Sequence, residues 1–272
     1  MSQRIDERVA RGDAERPAYF VRESATRFHP SEHVGGGWNP DEAHIGPVVG
    51  LLAHVIEADR TARRGADLQL ARLSVDILGV LPMEAFDVTV RMVRPGRTIE
   101  LVEALLEHGG RPAVLARAWL TARYDTARLA GSPLAHLASP HDLPSVRPGE
   151  WWPGGFVRSV EARVLQAQPG RATYWMRALV DVLGDEEVSA TARVLGLVDI
   201  ANGATPRVSA TEAFFPNVDL TAHLFRAPRG EWTGFDTAVS FGAEGLGLTH
   251  SVISDLDGPF GTVEQSLTVR PR

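Results

Sequence analysis

Residues Phe86–Tyr124 read FDVTVRMVRPGRTIELVEALLEHGGRPAVLARAWLTARY, and this stretch decides the fold. Phe86, Val88, Val90 and Met92 alternate with Asp87, Thr89 and Arg91, the period of two of a strand with one buried face. Ile99–Leu106 is apolar-rich, and periodicity alone leaves strand and helix both open there. Gly109-Gly110 supplies a tight turn, and Arg111–Tyr124 runs on beyond it, which favours a hairpin.

The same order returns further along the chain. An offset of 270 − 123 = 147 lays Arg72–Arg123 over Asp219–Arg270 without a gap. Seven of the 52 pairs are identical: Leu73/Leu220, Glu84/Glu231, Leu101/Leu248, Pro112/Pro259, Leu120/Leu267, Thr121/Thr268 and Arg123/Arg270. The apolar register says more than the identities. Ile77-Leu78 faces Leu224-Phe225, Val88 faces Phe235, Ile99 faces Leu246, and Leu105-Leu106 faces Val252-Ile253. Gly109-Gly110 falls opposite Leu256-Asp257, next to Gly258. A duplicated unit is the expected organisation. In the second unit GTVEQSLTVR is plainly strand-like, which supports reading its partner in the first unit as a strand.

A helical candidate precedes each strand set. GPVVGLLAHVIEADR carries Pro47 in a permitted first-turn position, and Val48, Leu51, Leu52, Val55 and Ile56 recur at helical spacing. Apolar around most of its circumference, it suits a helix wrapped by a sheet. SATARVLGLVDIANG begins with the capping residue Ser189 and ends at Asn202-Gly203. Between the units, SPLAHLASPHDLPSVRPGEWWPGG is rich in Pro, Gly and Ser and reads as a linker. The expected division is 1–130 for the first repeat, 131–155 for the linker and 156–272 for the second. The class is α+β, each repeat a long helix against an antiparallel sheet.

Composition bounds the function. The apolar fraction is 44% and the charged fraction 23%, values of an ordinary globular chain. With 28 Lys and Arg against 34 Asp and Glu, the formal charge is −6 and no basic stripe is present, so no nucleic-acid partner is expected. The sequence has no cysteine, which removes thiolate nucleophiles, disulfides and thiolate metal sites. The opening MSQRIDERVARGDAERP lacks the apolar segment of a signal peptide. No apolar run reaches the roughly 18 residues of a membrane span, and a cytoplasmic location is expected. No G-x-S-x-G elbow, P-loop or dinucleotide glycine fingerprint occurs. His29 and His33 lie four apart, but Pro30 between them argues against a helical metal pair. Neither metal nor cofactor is expected.

A duplicated helix-and-sheet unit in a chain of this length resembles the double hotdog acyl-CoA thioesterases of the thioesterase II type. VDLTAHLFR keeps Asp219 and Arg226 at the separation seen in a strand of that family. Trp232 and Ser240 follow at similar spacing, Gln265 precedes the terminal Arg, and YWMRALVD is similar to the family's Trp-x-Arg strand. The helix from Ser189 matches in place, with Asp199 near its close. The resemblance covers about Ala18–Arg270. It departs at Leu220, where the family commonly has His, and at Ser240, where Thr is more usual.

The resemblance implies an acyl-CoA substrate, a homo-oligomer (a dimer), and a catalytic set of Asp219, Ser240 and Gln265. Thioester hydrolysis needs a placed water, a group to take its proton and donors for the developing oxyanion. Asp219 is expected to serve as base, with Ser240 and Gln265 orienting the water. The oxyanion would meet a backbone N–H near Gly46, at the amino end of the first helix, with His44 as a substrate contact or alternative base. The positions 147 residues earlier are Arg72, Val93 and Ala118, so one site per chain is expected, in the second repeat. Trp151-Trp152 is expected to pack the linker onto the body. Two other functions stay open: a non-catalytic acyl-CoA or CoA binder, and a hotdog dehydratase or hydratase.

Overall fold

The computed structural model describes residues 17–65 and 67–272; the charged stretch 1–16, read from sequence as no signal peptide, lies outside them. Strands β1 (Ala18–Arg22) and β2 (Arg27–Pro30) lead into a long helix, α1 (Ile45–Arg64). Then come β3 (Leu68–Ile77), β4 (Phe86–Arg94), β5 (Ile99–His108) and β6 (Arg111–Ala122). The connecting segment holds short turns, β7 (Ser145–Val146) and α2 (Gly155–Arg158). The second half opens with β8 (Val160–Gln168), β9 (Arg171–Ala178) and β10 (Asp181–Leu183). Helices α3 (Ala190–Leu195) and α4 (Ala201–Ala204) follow, then β11 (Ala213–Phe214). It closes with β12 (Asp219–Leu224), β13 (Thr233–Phe241), β14 (Leu246–Asp255), β15 (Gly258–Thr268) and β16 (Arg270–Pro271).

One 14-stranded sheet runs β10-β1-β2-β4-β5-β6-β3-β12-β15-β14-β13-β9-β8-β7, a palindrome about the β3–β12 pair. The offset of 147 reproduces strand bounds: 86 and 94 become 233 and 241, and 99 and 108 become 246 and 255. A bulge between Leu106 and Glu107 recurs between Ile253 and Ser254, at the same offset. Ser74 pairs with Thr221, its own equivalent at 74 + 147, so the two repeats meet about a local twofold axis. Ile99–His108 is a strand, and Gly109 and Gly110 turn with φ of 57° and 73°, values that suit glycine. The sheet ends are short strands, three residues in β10 and two in β7, which limits edge pairing with other chains.

Helix α1 is buried from Gly46 to Ile56, and its last two turns reach the surface. Val48, Leu51, Leu52 and Ile56 are fully covered, each worth about 1.5–3 kcal/mol against exposure. The second helix departs from expectation. Ser189 does cap it, accepting from Ala192 N at 3.0 Å. The run then breaks into α3, a 3-10 turn over Val198–Ile200 and α4, so the described residues hold one long central helix and not two. The break lies where the helices touch. A Cβ on Gly50 would sit 2.9 Å from Gly196 Cα and 3.0 Å from Ala192 O, so Gly50 needs glycine for this approach. The linker residues His136 and Leu137 lie against Gly258 and Gly234 of the second half, and Trp175 Nε1 donates to Ala138 O at 2.8 Å.

Candidate active site

The helical break presents Asp199 to the interior. Its Oδ1 accepts from Asn217 Nδ2 at 2.7 Å and from Gln265 Nε2 at 3.0 Å. Asn217 immediately precedes the β12 region and also donates to Asp219 O at 3.1 Å, which fixes its amide. Gln265 sits on the inner face of β15 with no exposed surface, and its Oε1 has no partner among the described residues. Burial pushes the Asp199 carboxyl up to about 7, although the Asn217 and Gln265 amides pull it the other way. Desolvation therefore outweighs two hydrogen bonds, and the group titrates near neutrality.

Asp199 Oδ2 lies 3.4 Å from His44 Nδ1. This is not an ion pair. His44 caps α1, its Nδ1 accepting from Gly46 N at 3.0 Å, and burial pushes the imidazole down to about 3. A neutral ring with an accepting Nδ1 carries its proton on Nε2. With its lone pair engaged and its basicity low, His44 is a poor candidate for the base. The Gly46 amide is occupied by the same contact. Gly46 is also confined sterically, because a Cβ there would lie 3.0 Å from both Gly196 O and Phe156 Cζ.

Asp199, Asn217, His44 and Ile45 line a cleft of about 330 Å³ that opens between α1, the β3–β4 connection and the α4 turn. Asp219 and Ser240 do not join it. Asp219 belongs to the outward set of β12, since Leu220 and Ala222 face in, and its Oδ1 accepts from Ser266 N at 2.6 Å. Ser240 is exposed on β13, whose inward residues are Thr233, Phe235, Thr237 and Val239. Of the expected catalytic three, only Gln265 reaches the interior. Sequence reading noted Asp199 near the close of the Ser189 helix without giving it a role, and it passed over Asn217. The available signal was a single acid inside the apolar run LGLVDIAN.

Two other residues of the family-like strand are structural. Arg226 forks onto Asp255, with both N–O distances 2.6 Å, and also donates to Gly258 O. Trp232 is buried between the Arg163 and Arg177 guanidinium groups, 5.7 and 4.9 Å from its ring centre.

Comparison with known proteins agrees with this architecture. A sequence-family model described as the acyl-CoA thioesterase C-terminal domain matches residues 140–269, and one described as the N-terminal domain matches 34–121. The chain belongs to the acyl-CoA thioesterase II-like family. Among solved structures, acyl-CoA thioesterase II of Mycobacterium marinum shares 17% identity at a TM-score of 0.66, over 93% of this chain and 96% of that one. The tesB protein of Mycobacterium avium subspecies paratuberculosis gives 17% and 0.67 over the same shares. A hotdog-fold protein of unknown function from Alicyclobacillus acidocaldarius gives 14% and 0.70, over 92% of this chain and 95% of that one. At these identities the likeness speaks for the hotdog fold. No curated protein matches the sequence significantly. Among the described residues no helix is long and apolar enough to cross a membrane.

Proposed function

We propose that this acyl-CoA thioesterase-family chain hydrolyses acyl-CoA to the free acid and CoA, with Asp199 as the base that activates water. The observation that carries the reading is a fully buried carboxylate whose pKa is raised to about 7 at the wall of a cleft. A general base works best with a pKa near the working pH. Asn217 and Gln265 hold Oδ1, which leaves Oδ2 to take the proton from water. The unpaired Gln265 Oε1 offers that water a second acceptor. His44, neutral and protonated on Nε2, is the donor proposed for the thioester carbonyl as charge develops on its oxygen. Gly46 N–H polarises that ring through Nδ1. Asp219 and Ser240 have no part in this scheme.

A non-catalytic CoA binder has no use for a carboxylate held unsaturated at this pKa, because burying it only costs stability. A thiol-release assay across acyl-CoA substrates tests the reading. Turnover that falls as pH drops below about 7 is expected. Saturable CoA binding without thiol release would overturn it in favour of a binding protein, and water addition to an enoyl-CoA would overturn it in favour of a hydratase.

A further inference from the structure

Resting on that reading, the structure points to an acyl end closed by the segment that joins the two repeats. A second pocket, about 40 Å³, adjoins the open cleft, and the two spaces share His44, Asn202, Gly37 and Trp38. Its other walls are Trp151, Trp152, Val157, Met176 and Ile200, all apolar. A thioester carbonyl at Asp199 and His44 therefore has two directions available. The wide cleft suits the leaving thiol and its polar arm. The small apolar pocket suits the acyl group.

Trp152 sets the size of that pocket. Its Nε1 donates to Gly203 O at 2.9 Å, and its ring meets Trp38 edge-on at 4.7 Å and Phe215 at 6.2 Å. Gly37 and Gly203 bring backbone against it, each so near that a Cβ would lie 3.5 Å from the indole. Moving the ring would break a satisfied hydrogen bond and both aromatic contacts together. Trp151, 46% exposed, stands at the rim. A water molecule takes up about 10–15 Å³ of such space, so the pocket holds on the order of three heavy atoms beyond the carbonyl. We propose that the enzyme is specific for short acyl groups, about two to four carbons long, and that Trp152 is the residue that enforces the limit.

The test is kcat/KM of the full chain on straight-chain acyl-CoAs of about two to sixteen carbons. One unaccommodated methylene costs roughly 10–200-fold in such a pocket, so activity should peak at four carbons or fewer and fall about tenfold or more by eight. Trp152→Ala should raise the eight-to-four-carbon ratio of kcat/KM by about tenfold or more, and Trp152→Phe should leave it within about threefold of wild type. Should Trp152→Ala fail to fold, Met176→Ala widens the pocket from the opposite wall and should shift the ratio the same way. A wild-type optimum at eight carbons or longer overturns the proposal while leaving the hydrolase reading intact. An unchanged ratio in a folded Trp152→Ala or Met176→Ala does the same. Turnover of no chain length overturns both.

Discussion

The inner faces of the two half-sheets share a register and differ in chemistry at five positions. At five inward positions the second half carries Thr233, Thr237, Thr249, Ser251 and Gln265, all buried. The first half carries Phe86, Val90, Val102, Ala104 and Ala118 at the same places, 147 residues earlier. Thr237 and Ser251 bond each other at 2.8 Å, and Tyr174 closes on Thr237 at 3.4 Å. Only the second half breaks its central helix, and the break delivers Asp199 to Gln265. Unpaired burial of these groups would cost roughly 1–3 kcal/mol each. A fold that tolerates an apolar version of the same surface therefore holds the polar one at a cost, and one of its members, Gln265, bonds the carboxylate at the cleft.

The strongest way to break this comparison is Asp199→Asn. The amide oxygen can still accept from Asn217 and Gln265, so shape is kept and the base is lost. Turnover should fall about 10²-fold or more. Stability should move the other way. The folded carboxyl binds its proton up to about 7, against 3.8 ordinarily. Between those values the folded state holds a proton the unfolded chain has released, so stability falls as pH rises through that window and stays lowered above it. At pH 8 the variant's Tm should match or exceed the wild-type value. Full activity in a folded variant would end the assignment.

Acidity supplies the next effect. Because the base must be ionised, kcat/KM should fall about tenfold per pH unit below about 7 and level off above it. His44, held down at about 3, should add no second limb in the neutral range. A profile flat from pH 5 to 9 would exclude Asp199 as the titrating group.

Gln265→Ala gives the second half the residue its partner has at Ala118. It removes one of two donors to Asp199 Oδ1 and opens a cavity. Turnover should drop about tenfold, less than for the base itself, since an orienting contact is lost and proton transfer is not. Thermal melts alongside the kinetics separate the cavity from the chemistry. Activity unchanged in a folded variant would leave Gln265 a packing residue.

Much of this fold is open to inspection in the chain. Alternation in Phe86–Val93, the paired turns and the ungapped offset place the strands and their faces, because a strand period of two tolerates no slip where one face is buried. The same alternation separates outward Asp219 and Ser240 from inward Leu220 and Val239. Similarity of motif spacing alone does not make that distinction. Asp199 is harder. Its position depends on a 3-10 turn beside the Gly50–Gly196 approach, a tertiary contact that no local pattern encodes. Its pKa depends on burial from elements far apart in sequence.

A subtler substitution asks whether the hydroxyls are chemical or structural. Thr237→Val with Ser251→Ala installs the first half's Val90 and Ala104 and removes both members of one hydrogen bond. Ser251→Ala alone leaves Thr237 Oγ1 its 3.4 Å contact to Tyr174 and is expected to cost about 1 kcal/mol. The double replacement also takes the Thr237 partner from buried Tyr174 and is expected to cost about 1–3 kcal/mol. Neither should alter kcat/KM more than about threefold, because no hydroxyl of the pair bonds to Asp199. A denaturant melt of both variants beside the wild type checks the first part. A double variant that folds but loses most of its turnover would show that the polar seam takes part in catalysis.

The smallest effects belong to Asp219→Asn and Ser240→Ala, and they discriminate most sharply between motif and geometry. Asp219 Oδ1 accepts the Ser266 amide at 2.6 Å, a contact the asparagine oxygen can keep. Ser240 stands exposed on β13 and makes no side-chain hydrogen bond among the described residues. Surface changes of this kind stay within about 0.5 kcal/mol, so kcat/KM should change by no more than about twofold, and Tm by a degree or two. The measurement is steady-state hydrolysis at pH 8, where Asp199 is ionised and the base does not limit. A tenfold loss in either variant at unchanged Tm would move the chemistry to the outer face of the sheet. It would also mean that the inner polar face of the second half is a packing difference between the repeats and nothing more.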